Sequence, residues 1–212
     1  MDVLKDDQMI AIIDYGAGNL RSVSNAIAKI GYRAEITNKP EEILRAKAVF
    51  FPGVGAAGDT MSSLQQLGLT DIIQRLVTEN RPLFAICIGL QVLFTGTEEG
   101  GWRACLNIIP GSVKKLPSGQ KIPHMGWNQI RQKFSHPIFT GIPDGTYFYF
   151  VHSYYGEPED KAIVLAETEY GVLFCSALTK GNLVATQFHP EKSGEPGLRM
   201  YENFIRLAGA GK

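Results

Sequence analysis

After a charged and polar opening octet, Met9 to Asp14 (MIAIID) forms a continuous apolar run that ends at a glycine-rich turn. A short run of this kind suits a strand buried on both faces of a parallel sheet. Leu20, Val23, Ala26, Ile27 and Ile30 then recur at helical spacing, and Gly31 stands where a helix C-terminus favours glycine. The alternation continues through a strand at Tyr32 to Ile36, a proline-initiated helix near Pro40 to Arg45 and a strand at Ala48 to Phe51. Helices around Asp59 to Leu67 and Leu69 to Asn80 precede the apolar strand Leu83 to Ile86. Strands alternating with helices predict an α/β fold.

Beyond about Gly96 the texture changes, with glycine and proline separating short strand-like runs at Ile108 to Leu116, Tyr147 to Val151, Ile163 to Glu167, Leu173 to Ala177 and Leu183 to Phe188. Antiparallel strands are expected here. A final helix is expected from about Pro196 to Ala208, and residues 1–8 and 209–212 read as frayed ends. With no internal repeat and no linker, the pattern predicts one three-layer domain over 1–212, its core about 9–208, built on a mixed, mainly parallel central sheet.

Composition narrows the function. At 212 residues, 44% hydrophobic and 20% charged, the chain can bury a full core. Twenty-one basic and twenty-one acidic residues cancel, so the electrostatic excess that nucleic acid or anionic lipid attracts is absent, and neither is an expected partner. Cys87, Cys105 and Cys175 are too few and too scattered for a disulfide scaffold or a zinc site, which points to a reducing cytoplasm. The opening MDVLKDDQ is too charged for a signal peptide, and the longest uncharged apolar run, Leu83 to Leu90, is far short of a membrane span.

The chemistry concentrates at Leu83 to Gln91 (LFAICIGLQ), where an apolar strand runs directly into Cys87, with Ala85 two residues before it and Gly89 two after. A strand that turns sharply into a helix needs small residues at both flanks, as in a nucleophile elbow. The amides and dipole of a helix N-terminus would favour a thiolate at Cys87 and donate to an oxyanion beside it. A core cysteine in a buried strand is the competing reading of this segment alone. That alternative weakens at Gln187-Phe188-His189-Pro190-Glu191, where Pro190 biases His189 towards extended geometry and side chains two apart point the same way. A Cys87–His189–Glu191 relay becomes feasible, with the imidazole moving the proton and the carboxylate orienting it. The glycine-rich Phe51-Pro52-Gly53-Val54-Gly55 segment follows another parallel strand, so it should share a crevice with the elbow and offer amides to an oxyanion.

These three segments, in this order, resemble the class I (triad-type) glutamine amidotransferases. The segments Ile13-Asp14-Tyr15-Gly16-Ala17-Gly18-Asn19-Leu20, Pro123-His124-Met125-Gly126-Trp127-Asn128, Tyr149-Phe150-Val151-His152-Ser153-Tyr154 and Phe188 to Ser193 are similar to the glutaminase subunits of imidazole glycerol phosphate synthase, over about Met9 to Ala208. The resemblance implies a flavodoxin-like fold and hydrolysis of glutamine to glutamate and ammonia, without a metal or cofactor. It implies that Cys87 forms the γ-glutamyl thioester, His189 is the general base and acid, and Glu191 orients it. By the same resemblance Gln91 contacts substrate, while Gly53, Val54, Gly55 and Ile88 form the oxyanion hole after a reorientation of the glycine-rich segment. Asn19 falls near the glutaminase site, and Trp127, Asn128, Tyr149 and Lys192 at the ammonia exit and partner-facing surface. The elbow departs mildly, with Ile88 and Leu90 where leucine and methionine are commoner, an exchange of similar volume.

Hydrolysis alone would waste the nitrogen, and the chain carries no P-loop or metal-ligand cluster for a second reaction, so the ammonia acceptor is expected on another chain. By resemblance it is the (β/α)8-barrel cyclase subunit of a heterodimer, which uses ammonia to make imidazole glycerol phosphate and aminoimidazole carboxamide ribotide. Rival readings are a glutaminase for another acceptor, a non-catalytic subunit of the same fold, and a cysteine peptidase or γ-glutamyl hydrolase. Gly16-Ala17-Gly18 also invites a dinucleotide site, but Arg21 occupies the third glycine position. His124, His136 and His152 lack ligand spacing and read as satisfied or surface histidines, and Cys105 and Cys175 as small core residues.

Overall fold

The computed structural model describes residues 9–210; residues 1–8 and 211–212 of the expected frayed ends lie outside the described residues. Chain order is β1 (Ile10–Ile13), α1 (Leu20–Lys29), β2 (Ala34–Thr37), α2 (Pro40–Arg45), β3 (Ala48–Phe51), α3 (Ala57–Gln66), α4 (Thr70–Thr78), β4 (Leu83–Ile86) and α5 (Ile88–Gln91). There follow β5 (Phe94–Thr97), β6 (Arg103–Ala104), β7 (Ile109–Lys115), β8 (His124–Gln129), β9 (Arg131–Gln132), β10 (Tyr147–His152), β11 (Tyr154–Pro158), β12 (Val164–Glu169), β13 (Leu173–Lys180), β14 (Leu183–Thr186) and α6 (Gly194–Leu207).

The main sheet has eight strands in the order β2-β1-β3-β4-β14-β13-β12-β9. Strands β2, β1, β3, β4 and β14 run parallel, and β13, β12 and β9 continue the sheet antiparallel. The apolar runs read from the sequence account for the parallel part: every residue of β1, β3, β4 and β14 is buried, as a strand covered on both faces requires. Helix α6 seals one face with aromatic rings. Tyr201 and Phe204 sit edge-on to Phe50 of β3 and Phe84 of β4, at centroid distances of 5.0 to 5.3 Å.

The fold positions chemistry by strand order. Strands β3, β4 and β14 are neighbours, with Phe51 opposite Ala85 and Ile86 opposite Thr186. Their carboxyl ends therefore emerge side by side, and the segments that follow them begin at Pro52, Cys87 and Gln187.

Several sequence expectations require correction. The elbow leads into only one helical turn, α5, because the chain leaves the helix after Gln91, turns through Val92 and Leu93, and enters β5 at Phe94. The anion-stabilising effect at Cys87 must therefore come from local amides, not from a long helix dipole. The second half contains two further sheets, β10–β8 and β11-β7-β5-β6, and the apolar pattern did not reveal their strands β5, β6, β8 and β11, nor β9 at the edge of the main sheet. Cys105 is half-buried, not a core residue. Ala210, expected at a frayed end, is buried, and its N–H donates to the Ile205 carbonyl.

Candidate active site

Cys87 adopts φ +55° and ψ −105° at the junction of β4 and α5, a conformation costly for a residue with a Cβ. The turn is held by the Cys87 N–H, which donates to the Thr186 carbonyl at 2.7 Å. Two glycines let the neighbouring loop approach. A Cβ on Gly53 would lie 2.6 Å from the Gly89 nitrogen, and one on Gly89 would lie 2.3 Å from the Phe51 carbonyl oxygen. The glycine-rich segment and the elbow thus touch backbone to backbone.

His189 and Glu191 follow β14 in the adjacent lane. His189 Nδ1 lies 2.8 Å from Glu191 Oε1, with both side chains at most 2% exposed. Such a carboxylate fixes the tautomer, so Nδ1 carries hydrogen and Nε2 is left to face the sulfur. The His189 N–H donates to the Tyr149 carbonyl, while Ser193 Oγ accepts from the Tyr149 N–H at 3.0 Å and donates to the His189 carbonyl at 2.6 Å. Strand β10 and the Ser193 hydroxyl therefore hold this loop.

Burial is the strongest single influence on the His189 imidazole and favours its neutral form, but the Cys87 sulfur and the Glu191 carboxylate together outweigh it and raise the pKa to about 10. The balance favours a charged imidazole beside the sulfur. His189 Nε2 is nevertheless buried without a hydrogen-bond partner, and the Cys87 Sγ faces the Val151 carbonyl at 3.9 Å.

A cleft of about 400 Å³ opens over this group, lined by Val54, Gly55, Cys87, Ile88, Gln91 and His189 on one side and Pro123, Val151, His152, Ser153 and Tyr154 on the other, with Glu99 and Lys192 as its aliphatic charged residues. Of the residues expected at the oxyanion hole and substrate, Val54, Gly55, Ile88 and Gln91 line the cleft. Gly53 packs beneath it against Ile88 and Gly89. Glu191 lies behind His189.

The residues expected near the ammonia exit divide. Lys192 lines the cleft and its Nζ sits 5.9 Å above the Tyr149 ring. Tyr149 is directly opposite Trp127 in the β10–β8 pair, with ring centroids 6.1 Å apart. Trp127 is 56% exposed, so it is no core residue. Asn128 is turned inward, bonded to Glu169 O and the His124 ring. Asn19 caps α1 through its backbone carbonyl, in a turn whose Gly18 approaches Pro52, outside the cleft lining.

Four participants were not singled out from the sequence. Gln187 donates from Nε2 to Cys87 Sγ at 3.6 Å; Tyr201 OH donates to Glu191 Oε2 at 3.2 Å; Ser193 clamps the His189 loop; Glu99 puts a carboxylate at the cleft and accepts the Ala57 N–H at 2.7 Å. Gln187 and Ser193 lie within the quoted motifs, and a polar residue at the end of an otherwise apolar strand was the available signal for Gln187.

Residues 11–207 match the family described as Glutamine amidotransferase class-I. The chain belongs to the class I glutamine amidotransferase family. As a class I glutamine amidotransferase it is 58% identical over 200 residues to the imidazole glycerol phosphate synthase subunit HisH of Dehalococcoides mccartyi (strain CBDB1), covering 94% of this chain and 98% of that protein. It is 52% identical over 198 residues to the subunit of the same name from Moorella thermoacetica, covering 93% and 94%. Among solved structures, a glutamine amidotransferase superposes with TM-score 0.74 at 20% identity over 94% and 98% of the two chains. PurLQS from Thermotoga maritima superposes with TM-score 0.75 at 15% identity over 95% and 99%. At those identities the structures speak to the class I glutamine amidotransferase fold alone. No helix among the described residues is long and apolar enough to cross a membrane.

Proposed function

We propose that residues 9–208 act as one glutaminase domain, the glutamine amidotransferase subunit of an imidazole glycerol phosphate synthase in histidine biosynthesis. The observation that carries the chemistry is the buried Cys87–His189–Glu191 group beneath a cleft sized for an amino acid. The Cys87 thiolate attacks the side-chain amide carbon of glutamine. Negative charge moves to the amide oxygen, where amides of the Val54–Gly55 segment and of Ile88 receive it. Imidazolium His189 gives its Nε2 proton to the departing nitrogen, releasing ammonia and leaving a γ-glutamyl thioester on Cys87. Neutral His189 then takes a proton from water, whose oxygen attacks the thioester carbon; glutamate leaves and the thiolate–imidazolium pair returns. Glu191 holds the ring and stabilises its charge throughout. Glu99 is the carboxylate positioned to pair with the α-ammonium of glutamine, and Gln91 contacts the same substrate.

The ammonia passes to a (β/α)8-barrel cyclase subunit in a cytoplasmic heterodimer. The surface proposed to meet it carries exposed Met125, Trp127 and Tyr147 beside Tyr149 and Lys192. Apolar side chains clustered on one sheet face suit a protein partner. Asn19 and Asn128 are proposed to support this region, Asn128 from the inner side of β8. The Cys87 sulfur directed at Val151 and the partnerless His189 Nε2 suit a free subunit that hydrolyses glutamine slowly until the partner realigns the site.

The test is co-purification with the cyclase, followed by glutaminase assays with and without the cyclase's nucleotide substrate. Glutamine turnover should rise strongly when both are added. Equal turnover by the isolated chain would contradict the coupling, and absence of glutaminase activity in the complete mixture would overturn the assignment.

A further inference from the structure

Two buried histidines that the proposed mechanism does not use form an unbroken chain of hydrogen bonds with the cleft. His152 Nδ1 lies 2.9 Å from the Tyr154 carbonyl oxygen, and His152 Nε2 lies 2.9 Å from His124 Nδ1. His124 Nε2 lies 3.3 Å from Asn128 Nδ2, which also donates to the Glu169 carbonyl at 3.0 Å. At the other end, the Tyr154 carbonyl accepts from Gln91 Nε2 at 2.8 Å, and the same Gln91 nitrogen donates to Gln187 Oε1 at 3.1 Å. Gln187 Nε2 in turn reaches the Cys87 sulfur.

The chemistry of the groups fixes every proton. A carbonyl only accepts, so His152 must carry hydrogen on Nδ1. Its Nε2 is then a lone pair, and His124 must donate from Nδ1 to meet it. His124 Nε2 is left as the acceptor for the Asn128 amide. Charging His152 would place N–H against N–H in the 2.9 Å contact, and charging His124 would place a new Nε2–H against the Asn128 amide hydrogens. Burial acts in the same direction, lowering His124 to about 4 and His152 to about 3. His124 is clamped between rings, stacked on Tyr170 at 3.9 Å and Phe150 at 4.8 Å. At Gln91, both amide hydrogens are used by Tyr154 and Gln187, so the side chain presents only its Oε1 for further bonding.

We propose that His124 and His152 are positioning residues of the glutamine pocket: as a neutral, tautomer-locked pair they fix the Tyr154 carbonyl, which orients Gln91 as a pure acceptor towards the substrate. The inference rests on the glutaminase reading for its kinetic consequence, but not for its protonation pattern. The anchor at the far end is β8, whose opposite face exposes Met125 and Trp127. The pair thus ties the side-chain geometry of the pocket to a strand at the surface.

The chain has four histidines, so long-range proton–nitrogen NMR of the full-length protein can assign each ring by single substitutions. At pH 7 both His124 and His152 should be neutral with hydrogen on Nδ1. A charged ring, or hydrogen on Nε2 of either, overturns the proposal. Kinetics with the cyclase present give the second readout. His152→Phe should raise KM for glutamine about tenfold with kcat changed less than about threefold, since His152 bonds directly to neither the sulfur nor His189. His152→Asn, whose amide nitrogen occupies the Nδ1 position, should recover KM to within about threefold. A merely structural role would lower the active fraction and hence kcat, leaving KM alone. Wild-type KM in a folded His152→Phe variant overturns the proposal. If His152→Phe does not fold, the spectrum of the unsubstituted chain decides. If the unsubstituted complex fails to hydrolyse glutamine, the functional assignment falls and the ring spectra still judge the pair.

Discussion

The Tyr201 hydroxyl donates to Glu191 Oε2 at 3.2 Å, while the other oxygen of the same carboxylate meets His189 Nδ1 at 2.8 Å. One helix residue therefore helps aim the carboxylate that aims the imidazole. Tyr201 can do this because its ring is fixed in the α6–sheet core against Phe50 and Phe84. Burial and the adjacent Glu191 carboxylate hold its phenol well above the usual tyrosine range, so it remains a donor at any working pH.

Tyr201→Phe keeps that packing and deletes the bond. A hydrogen bond to a charged group contributes about 1.5–3 kcal/mol, so Tm should fall by about 3–12 °C, and kcat/KM for glutamine in the complex should fall as Glu191 loses its aim. Steady-state glutaminase kinetics and a melting curve check both halves of the expectation.

Cys87→Ala should abolish glutamine-dependent product formation by the complex while leaving synthesis from added ammonium salts largely intact. Assaying the two nitrogen sources in parallel separates a catalytic from a structural role, because loss of both activities would indicate a collapsed complex.

The same substitution removes the leading influence that raises His189, leaving burial opposed chiefly by Glu191. The His189 pKa should therefore drop from about 10 in the intact site. The sign for stability follows: a raised pKa contributes most below the unfolded value of about 6.5, and its contribution is lost as pH rises through about 10. NMR titration of His189 in the intact chain and in Cys87→Ala measures the change.

His124 and His152 act in the opposite sense. Their folded pKa values are lowered to about 4 and about 3, so their contribution is complete above about 6.5 and is lost as pH falls towards those values. Urea midpoints should decline between pH 7 and pH 4, and His124→Phe/His152→Phe should flatten that decline.

How much of this was legible in the chain depends on the kind of signal. Strands β1, β3, β4 and β14 announced themselves as apolar runs because both their faces are buried. Cys87 and His189–Pro190–Glu191 stood out because a sharp turn and an X-Pro step restrict which residues fit. Strand β8 was hidden, since His124, Met125, Gly126 and Asn128 carry little strand preference and the strand is fixed by pairing with β10. The Gln187–Cys87 and Tyr201–Glu191 contacts were also out of reach. They depend on β14 lying beside β4 and on α6 crossing that part of the sheet, relationships of strand order and helix packing that no local period encodes.

Gly89→Ala probes the approach of loop to elbow. The added methyl would press on the Phe51 carbonyl at 2.3 Å, and backbone on both sides cannot swing away. Overpacking of this kind costs about 1–3 kcal/mol, and for a chain of this length each kcal/mol lowers Tm by about 2–4 °C. Differential scanning calorimetry should record the drop, with glutaminase activity reduced further because the same contact shapes the oxyanion segment.

The proposed mechanism requires a covalent bond between glutamine and one sulfur. Rapid acid quench of the complex during glutamine turnover, followed by peptide mass spectrometry, should find the γ-glutamyl adduct on the peptide containing Cys87 and lose it in Cys87→Ala. An adduct on Cys105 or Cys175 instead, or continued glutamine hydrolysis by Cys87→Ala, would contradict it.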